Sequence, residues 1–182
     1  YDSSFIPFNS NPINKLLLTG GINKTPYPER VLIAKYKNVD VLKRKMFWGD
    51  KNNKEDNIFN KHLNKYVACF TSSVHVFPLL KSNKISKKTV NTNCILLKVY
   101  EILAAGSLLV MPKTEEKYLK DFLNIVNKEH YILIDMTSNI QEQINSILND
   151  PNIHIIRKRG QEHAKKYLNS KTLFQEIFKK IL

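Results

Sequence analysis

The segment from Asn91 to Pro112 constrains the fold more than any other part of the chain. Between Cys94 and Ala105 nearly every residue is apolar, and the two charged exceptions are Lys98 and Glu101. On a helix, which turns by about 100° per residue, Cys94, Lys98, Glu101 and Ala105 fall on one narrow stripe. A helix that is apolar almost all round is buried. The two charges on its polar stripe therefore need a partner, a cleft or an opening to solvent.

The residues that flank this helix predict how it begins and ends. Asn91 and Asn93 are good helix caps, and a helix N-terminus carries free N–H groups and about half a positive charge. Such an end suits a pyrophosphate. Gly106 fits the left-handed residue that closes a helix, and Ser107 starts a short apolar run that ends at Pro112. Helix, glycine and buried strand make half of an α/β unit.

Short apolar runs alternate with amphipathic segments through the rest of the chain. Strands are predicted at residues 15–19, 39–42, 66–71 and 130–135. Strands that alternate with helices form a parallel sheet covered by helices, so the expected fold class is α/β with a Rossmann-like sheet. Gly20 and Gly21 follow the first strand, close to where such sheets bind ligands.

Several local features complete the predicted organisation. Residues 1–14 are expected to be an irregular lead-in or linker, and residues 15–182 a single domain that includes C-terminal helices in 152–182. Residues 72–93 are interpreted as a long lysine-rich loop. Ser138 is the expected N-cap of a helix, and Arg157 the expected solvent-facing residue of the helix after it. The last helix is predicted at residues 173–181.

The charge balance favours an anionic partner. The chain has 29 Lys and Arg residues against 16 Asp and Glu, a net charge of +13. Such an excess suits nucleic acid, anionic lipid or a phosphorylated small molecule. The sequence contains neither an RNP-type aromatic motif nor zinc-finger spacing nor an evident helix-turn-helix. A solvated basic surface is therefore favoured over a nucleic-acid patch.

Membrane and metal signals do not stand out in the sequence. No run approaches the roughly 20 apolar residues that span a bilayer, and no signal peptide opens the chain. Cys69 and Cys94 lie in apolar segments without metal-ligand spacing. Buried free thiols of this kind are typical of a reducing compartment, which predicts a cytoplasmic protein.

The central segment also resembles a known family. The pattern Lys98-x-x-Glu101-x-x-Ala104-x-Gly106, followed by an apolar strand, is similar to the donor-site signature of GT-B glycosyltransferases of the group-1 and spore-maturation types. The Tyr-Pro-x-Arg sequence that ends at Arg30 resembles a segment of the spore-maturation-type enzymes. The resemblance extends more weakly from about residue 15 to residue 182. It implies one half of a GT-B fold, the nucleotide-sugar-binding C-terminal domain.

The resemblance implies a role for each matched residue. Glu101 would bind the ribose hydroxyls of a nucleotide-diphosphate sugar, and Lys98 would neutralise the diphosphate as the sugar leaves for an acceptor that the sequence does not identify. Arg30 could reach the same diphosphate, although it could equally be a surface arginine. The remaining expected donor-site residues are Gly20, Gly21, Asn91, Asn93, Gly106 and Ser107. No metal or other cofactor is implied.

Two departures from the family pattern keep other readings open. Group-1 enzymes have an acid where this chain has Asn93, and a complete GT-B enzyme needs an N-terminal Rossmann-like domain that 182 residues cannot also hold. The chain should then bind a nucleotide-sugar better than it turns one over. The alternatives are a catalytically silent assembly domain and a basic nucleic-acid-binding module. From spacing alone, Lys98 and Glu101 form an i, i+3 ion pair worth a few tenths of a kcal/mol.

Overall fold

The architecture is seen in residues 6–22, 27–42, 58–81, 84–94 and 97–168, which a computed structural model describes. Only the backbone is described for residues 58–60, 74–81, 84–94, Leu97 and Phe122. These ranges contain seven strands and six α-helices. In chain order they are β1 (Ile13–Thr19), α1 (Pro28–Ile33), β2 (Val39–Leu42), α2 (Ile58–Asn64), β3 (Tyr66–Phe70), β4 (Val74–Lys81), β5 (Lys84–Cys94), α3 (Leu97–Ala104), β6 (Leu108–Pro112), α4 (Glu116–Leu123), β7 (Tyr131–Ile134), α5 (Ile140–Leu148) and α6 (Ile153–Tyr167).

Five of these strands form one parallel sheet in the order β2-β1-β3-β6-β7. Within this sheet, Leu18 of β1 lies opposite Val41 of β2 on one side and Phe70 of β3 on the other. The predicted Rossmann-like α/β fold is confirmed. The chain first moves outward from β1 to β2 and then returns to place β3 on the other side of β1. The order of the strands therefore reverses between β1 and β3, which is where such sheets form a crevice at their carboxyl ends.

Helices cover both faces of this sheet because its central strands are apolar on both faces, as buried parallel strands are. Leu16, Leu18 and Phe70 pack on one face with buried residues of α1 and α5. Leu17 and Cys69 pack on the other face with buried residues of α2, α3 and α4. Each fully buried leucine or isoleucine contributes roughly 1.5–3 kcal/mol to this core. The core thus holds α1 and α3 on opposite faces of the sheet.

Between β3 and α3 the structure differs from the sequence prediction. The stretch interpreted as a loop forms an antiparallel ribbon in which β4 pairs with β5. Asn91 and Asn93 belong to β5, and α3 begins at Leu97, so they are not the N-terminal caps of this helix. Cys94 is also in β5 rather than on the helix. In this stretch the backbone N–H and C=O groups pair between two strands, whereas the prediction had a loop that leads to helix caps.

Two further local predictions were wrong. The N-cap of α5 is Asn139, whose side chain accepts a hydrogen bond from the backbone N–H of Glu142, rather than Ser138. Arg157 is buried instead of facing solvent. The predicted helix at residues 173–181 lies outside the described residues. Among the described helices, none combines the length and apolar character needed to cross a membrane.

The amino end of the sheet is closed by α6 and the irregular residues 6–12. Arg157 Nε donates to the Gly106 carbonyl at 3.0 Å, and its Nη2 donates to the Asn9 carbonyl at 3.0 Å. Gln161 Nε2 donates to the carbonyls of Ile6 and Ala104, both at 2.9 Å. These bonds attach the lead-in to the domain. The burial of Arg157 follows, because backbone carbonyls on two other segments satisfy its guanidinium.

Candidate functional site

The turn that follows β1 is the geometric centre of the candidate site. Gly20 has a backbone φ of 98°, in the left-handed region that favours glycine. A Cβ at this position would lie 2.6 Å from Arg30 Nη1 and 3.3 Å from Lys98 Cε. The bare Cα of Gly20 therefore leaves room for two cationic side chains that come from α1 and α3.

Arg30 approaches the turn from α1 and is only 1% exposed. Pro28 starts this helix, in the first turn where the missing N–H costs nothing. The Nη2 atom of Arg30 donates to Thr71 Oγ1 at 3.2 Å and to the backbone carbonyl of Ser72. Its guanidinium carbon lies 3.9 Å from the centre of the Tyr27 ring. Arg30 thus links α1 to the residues that follow β3, and it is not a surface arginine.

Lys98 and Glu101 lie on the partly exposed stripe of α3. Their side chains are 14% and 26% exposed, and Lys98 Nζ is 3.9 Å from a carboxylate oxygen of Glu101. Val99, Ile102 and Leu103 of the same helix are buried in the core. The helix is therefore anchored by its apolar sides, which leaves Lys98 beside the Gly20 turn and Glu101 next to Lys98 on the same stripe. A purely structural ion pair between Lys98 and Glu101 would have the same local geometry. A structural pair and a ligand-binding pair therefore differ in their exposure and their surroundings.

Hydroxyl groups follow β3 on the same edge of the sheet. Thr71, Ser72 and Ser73 come directly after the strand and are all buried. Ser73 Oγ donates to Glu115 at 2.7 Å, and Glu115, in the 3-10 turn after β6, is 1% exposed. Sequence reasoning missed these residues. The available signal was a run of three hydroxyl residues at the carboxyl end of a buried parallel strand, where ligand contacts concentrate.

Two buried hydroxyl oxygens at this edge have unused hydrogen-bonding capacity. Thr19 Oγ1 and Ser72 Oγ have no hydrogen-bond partner within the described part of the chain. Both residues are fully buried, and a buried polar atom without a partner costs about 1–3 kcal/mol. Such atoms are uncommon in folded proteins and call for an explanation, which a bound water or a ligand can supply. They lie at the ends of β1 and β3, on either side of the point where the strand order reverses.

The other predicted site residues are distributed unevenly. Gly21 directly follows Gly20, whereas Asn91 and Asn93 lie in β5, where only their backbone is described. Gly106 and Ser107 lie after the C-terminal end of α3, at the amino end of the sheet. Ser107 Oγ donates to the Tyr66 carbonyl at 2.9 Å and is 3.2 Å from Cys69 Sγ. Their contacts are structural, and their distance from the Gly20 turn does not favour a role in donor binding.

Neither metal ligation nor thiol chemistry is evident in what is described. No group of three or more His, Cys, Asp or Glu side chains in those ranges is arranged to hold a metal ion. Cys69 is fully buried, and this burial raises the pKa of its thiol to about 12. A thiol with so high a pKa is a poor nucleophile. The chemistry available at the carboxyl edge is that of cations, carboxylates and hydroxyls.

Comparison with known proteins identifies the fold. No protein-family profile and no curated protein sequence matches the chain. The solved structures that match it at low identity include the following three. The C-terminal domain of LpcC, a group 1 family glycosyl transferase from Francisella tularensis, has a TM-score of 0.56 and 13% identity, over 93% of this chain and 97% of that domain. The pneumococcal O-GlcNAc transferase GtfA, solved with UDP and GlcNAc, has a TM-score of 0.51 and 11% identity. TarM has a TM-score of 0.52 and 12% identity.

The matched lengths define which part of those proteins this chain resembles. The match covers 94% of this chain and 35% of GtfA, and 96% of this chain and 37% of TarM. The chain therefore spans about a third of either protein, but nearly all of the LpcC domain. At these identities the likeness establishes the fold alone. The chain has the Rossmann-like half-domain fold found at the C-terminal side of GT-B glycosyltransferases, in agreement with the sequence resemblance.

Proposed function

We propose that this chain is the donor-binding half of a glycosyltransferase and that it binds a nucleotide-diphosphate sugar at the carboxyl edge of its sheet. The observation that carries the proposal is the convergence at Gly20. A left-handed glycine at the reversal of strand order leaves space for Arg30 and Lys98, and Glu101 lies beside Lys98. Ligands of open α/β sheets bind at this kind of position.

Lys98 is the group proposed to bind the diphosphate. An ammonium beside a diphosphate makes a charge-assisted hydrogen bond, roughly twice as strong as a neutral one. When the bond to the sugar breaks, negative charge grows on the departing diphosphate. A fixed cation in a partly dehydrated site stabilises that charge; for scale, the loss of one donor from an oxyanion hole costs about 2.7–4 kcal/mol. The 14% exposure of the Lys98 side chain provides such a setting.

Glu101 is the group proposed to bind the ribose. A carboxylate accepts hydrogen bonds from two neighbouring hydroxyls, and each such bond to a charged group contributes about 1.5–3 kcal/mol. Glu101 is the more exposed member of the pair, with 26% of its side chain accessible. Lys98 can remain within reach of Glu101 while it contacts the ligand, so the ion pair and the binding site are compatible. The GtfA structure contains UDP, which makes uridine diphosphate the first nucleotide to test here.

The charge of the chain supports an anionic ligand. Between Ser72 and Leu97 the sequence contains four lysines and no acidic residue. This stretch includes the β4–β5 ribbon and leads from the end of β3 to the start of α3. An excess of positive charge raises the local concentration of an anionic substrate. Transfer of the sugar would also require an acceptor-binding domain, in this polypeptide or in a partner, and an acid or base other than Asn93, whose amide cannot act as either.

Calorimetric titration with uridine and guanosine diphosphates tests the proposal. Wild type is compared with Glu101→Ala and with the matched control Glu162→Ala, which removes an exposed glutamate of α6. We expect binding that Glu101→Ala weakens at least tenfold, or about 1.4 kcal/mol, and that Glu162→Ala leaves unchanged. An excess of duplex DNA should compete little.

Two other outcomes of this titration would contradict the proposal. Salt-sensitive binding to any polynucleotide, indifferent to Glu101, would instead assign the chain to nucleic-acid binding. No affinity for either nucleotide would indicate a GT-B-type domain that serves assembly rather than donor binding. The titration is run at two salt concentrations so that the electrostatic contribution can be separated.

A further inference from the structure

Arg30 contacts the turns after both β1 and β3, which neither of its predicted roles requires. Its guanidinium reaches two consecutive residues after β3, Thr71 through the hydroxyl and Ser72 through the backbone carbonyl. The second terminal nitrogen, Nη1, would be 2.6 Å from a Cβ added to Gly20. One side chain of α1 therefore spans the gap between the turn after β1 and the turn after β3.

The shape of this position favours a guanidinium. Arginine presents five N–H donors in a rigid planar fork, whereas the lysine ammonium is a compact point charge on a flexible stem. A planar group can lie against the bare Cα of Gly20 while one of its nitrogens donates to two acceptors. The Tyr27 ring, 3.9 Å from the guanidinium carbon, holds the group by a cation–π contact. A lysine ammonium at the place of Nη2 could donate to both acceptors, but it would leave the part of the gap next to Gly20 unfilled.

The same glycine connects Arg30 to Lys98. A Cβ on Gly20 would lie within 3.3 Å of Lys98 Cε, so Lys98 packs against the turn that Arg30 supports. A displacement of this turn would change the position of the Lys98 ammonium. Because Arg30 is 1% exposed, it contacts the protein on nearly every side and has almost no surface to offer a ligand directly. Its effect on a ligand must be transmitted by the two turns.

We infer that Arg30 is a positioning residue, a brace that holds the Gly20 turn and the Thr71–Ser72 turn in the relative position that Lys98 needs to contact a diphosphate. This inference rests on the proposed function for its consequence, the loss of nucleotide affinity. The brace itself is a property of the protein without ligand. A misplacement of about 1 Å in such a site can cost on the order of a hundredfold in activity.

The test compares two buried arginines at opposite ends of the sheet. Arg30→Lys keeps the charge and removes the fork. Arg157→Lys is the matched control, since Arg157 is also 1% exposed and its hydrogen bonds to described residues lie at the amino end. Thr71→Val, nearly isosteric, removes one acceptor of Arg30 and remains informative if Arg30→Lys does not fold. All variants are made in the 182-residue chain, and their stabilities are measured by denaturant unfolding.

Two readouts separate the brace from the proposed function. Amide hydrogen exchange without ligand should become faster at residues 19–21 and 71–73 in Arg30→Lys and Thr71→Val, and at residues 6–9 and 104–107 in Arg157→Lys. The dissociation constant for uridine diphosphate should rise about tenfold in Arg30→Lys, or about 1.4 kcal/mol, and about threefold in Thr71→Val. It should not change in Arg157→Lys, even where the loss of stability is equal.

Each readout can overturn the inference separately. Unchanged exchange at residues 19–21 and 71–73 in both carboxyl-end variants would show that Arg30 does not hold these turns. Faster exchange there with unchanged nucleotide affinity would show that the brace does not position the site. Equal losses of affinity in Arg30→Lys and Arg157→Lys would show that the loss of nucleotide affinity comes from general destabilisation. Absence of nucleotide binding in the wild type would contradict the proposed function, and the exchange data would still decide whether Arg30 is a brace.

Discussion

The two ends of the sheet each contain a buried arginine, yet their surroundings differ. At the amino end, Arg157 donates to the backbone carbonyls of Gly106 and Asn9 and is also 2.9 Å from His154 Nδ1. At the carboxyl end, Arg30 donates to Thr71 and Ser72 beside a left-handed glycine. Both side chains join segments that are distant in sequence. The difference lies in which polar groups are left over around them.

At the amino end, side-chain donors are used on backbone acceptors. Gln161 serves the carbonyls of Ile6 and Ala104, and Asn64 Nδ2 donates to those of Pro7 and Ala105 at 3.1 and 2.7 Å. These bonds satisfy backbone carbonyls at the end of α3 and attach the irregular residues 6–9 to the domain. Hydrogen bonds of this kind stabilise a fold by about 0.5–1.5 kcal/mol each.

At the carboxyl end, polar capacity is left over. The hydroxyl oxygens of Thr19 and Ser72 have no partner in the described residues, and the charges of Lys98 and Glu101 are only partly covered. An arrangement that stabilised the fold alone would leave fewer buried acceptors unused. Toward the amino end, Asn127 Oδ1 also lacks a partner among the described residues. The contrast in partly covered charges is the one expected if, as proposed, the amino end maintains the structure and the carboxyl end binds the ligand.

The largest effect should come from a methyl group at Gly20. Gly20→Ala places a Cβ 2.6 Å from Arg30 Nη1 on a residue with φ of 98°. We expect a loss of about 1–3 kcal/mol in unfolding free energy from backbone strain, and uridine diphosphate affinity lowered by roughly a hundredfold, or about 2.7 kcal/mol. Denaturant unfolding and calorimetry measure the two quantities.

Gly106→Ala is the matched control at the other end. Gly106 also has a left-handed φ, of 69°, and a Cβ there would lie 3.0 Å from Gln161 Nε2. This variant should lose comparable stability and keep its nucleotide affinity. A loss of affinity in Gly106→Ala as large as in Gly20→Ala would remove the distinction between the two ends.

Lys98→Met sharpens the role of charge at the carboxyl end. Methionine keeps much of the stem that packs near Gly20 and removes the ammonium. Affinity for uridine diphosphate should fall by about 1.5–3 kcal/mol, the contribution of a hydrogen bond to a charged group, while affinity for uridine should change little. Parallel titrations with both ligands measure the difference. An equal loss for uridine would mean that Lys98 does not contact the diphosphate.

Gln161→Leu tests the structural end. Leucine leaves the carbonyls of Ile6 and Ala104 without this donor, and we expect a loss of about 1–2 kcal/mol in unfolding free energy. Nucleotide affinity should stay at the wild-type value, as measured by calorimetry on the same samples. Weaker nucleotide binding at full folding would contradict the separation of the two ends.

The smallest effect should be a dependence of stability on pH through His130. Burial, assisted by nearby His163, holds the pKa of His130 below its ordinary value of 6.5. The unfolded chain therefore binds the proton more readily, and stability should fall as the pH drops below 6.5 and through the folded-state pKa, then level off. Unfolding of wild type and His130→Gln between pH 7.5 and 5 checks this, and identical profiles would contradict it.

Much of the main sheet could be predicted because its signal is local. The apolar runs at β1, β3, β6 and β7 are short, continuous and bounded by turn residues, as in strands buried on both faces. The stripe of Lys98 and Glu101 followed from helical periodicity alone. The position of this stripe near the Gly20 turn could then be predicted from one rule, that ligands bind at the carboxyl ends of parallel strands.

The errors arose where local and non-local signals compete. Asn91 and Asn93 have the propensity of helix caps, but pairing with β4, which no local pattern encodes, places them in a strand. Arg157 looked solvent-facing because the carbonyls that satisfy it are those of Asn9 and Gly106, remote in sequence. Such tertiary contacts outweigh intrinsic preference.

An amide footprint of uridine diphosphate tests the central claim most directly. Amide chemical shifts of the isotope-labelled chain are recorded with and without the nucleotide. We predict that the shifts change at Gly20, at Ser72 and Ser73, and at Lys98 and Glu101, and stay constant at residues 6–9, 106 and 107. Changes confined to the amino end, or no changes with saturating nucleotide, would contradict the assignment of the carboxyl edge as the donor site.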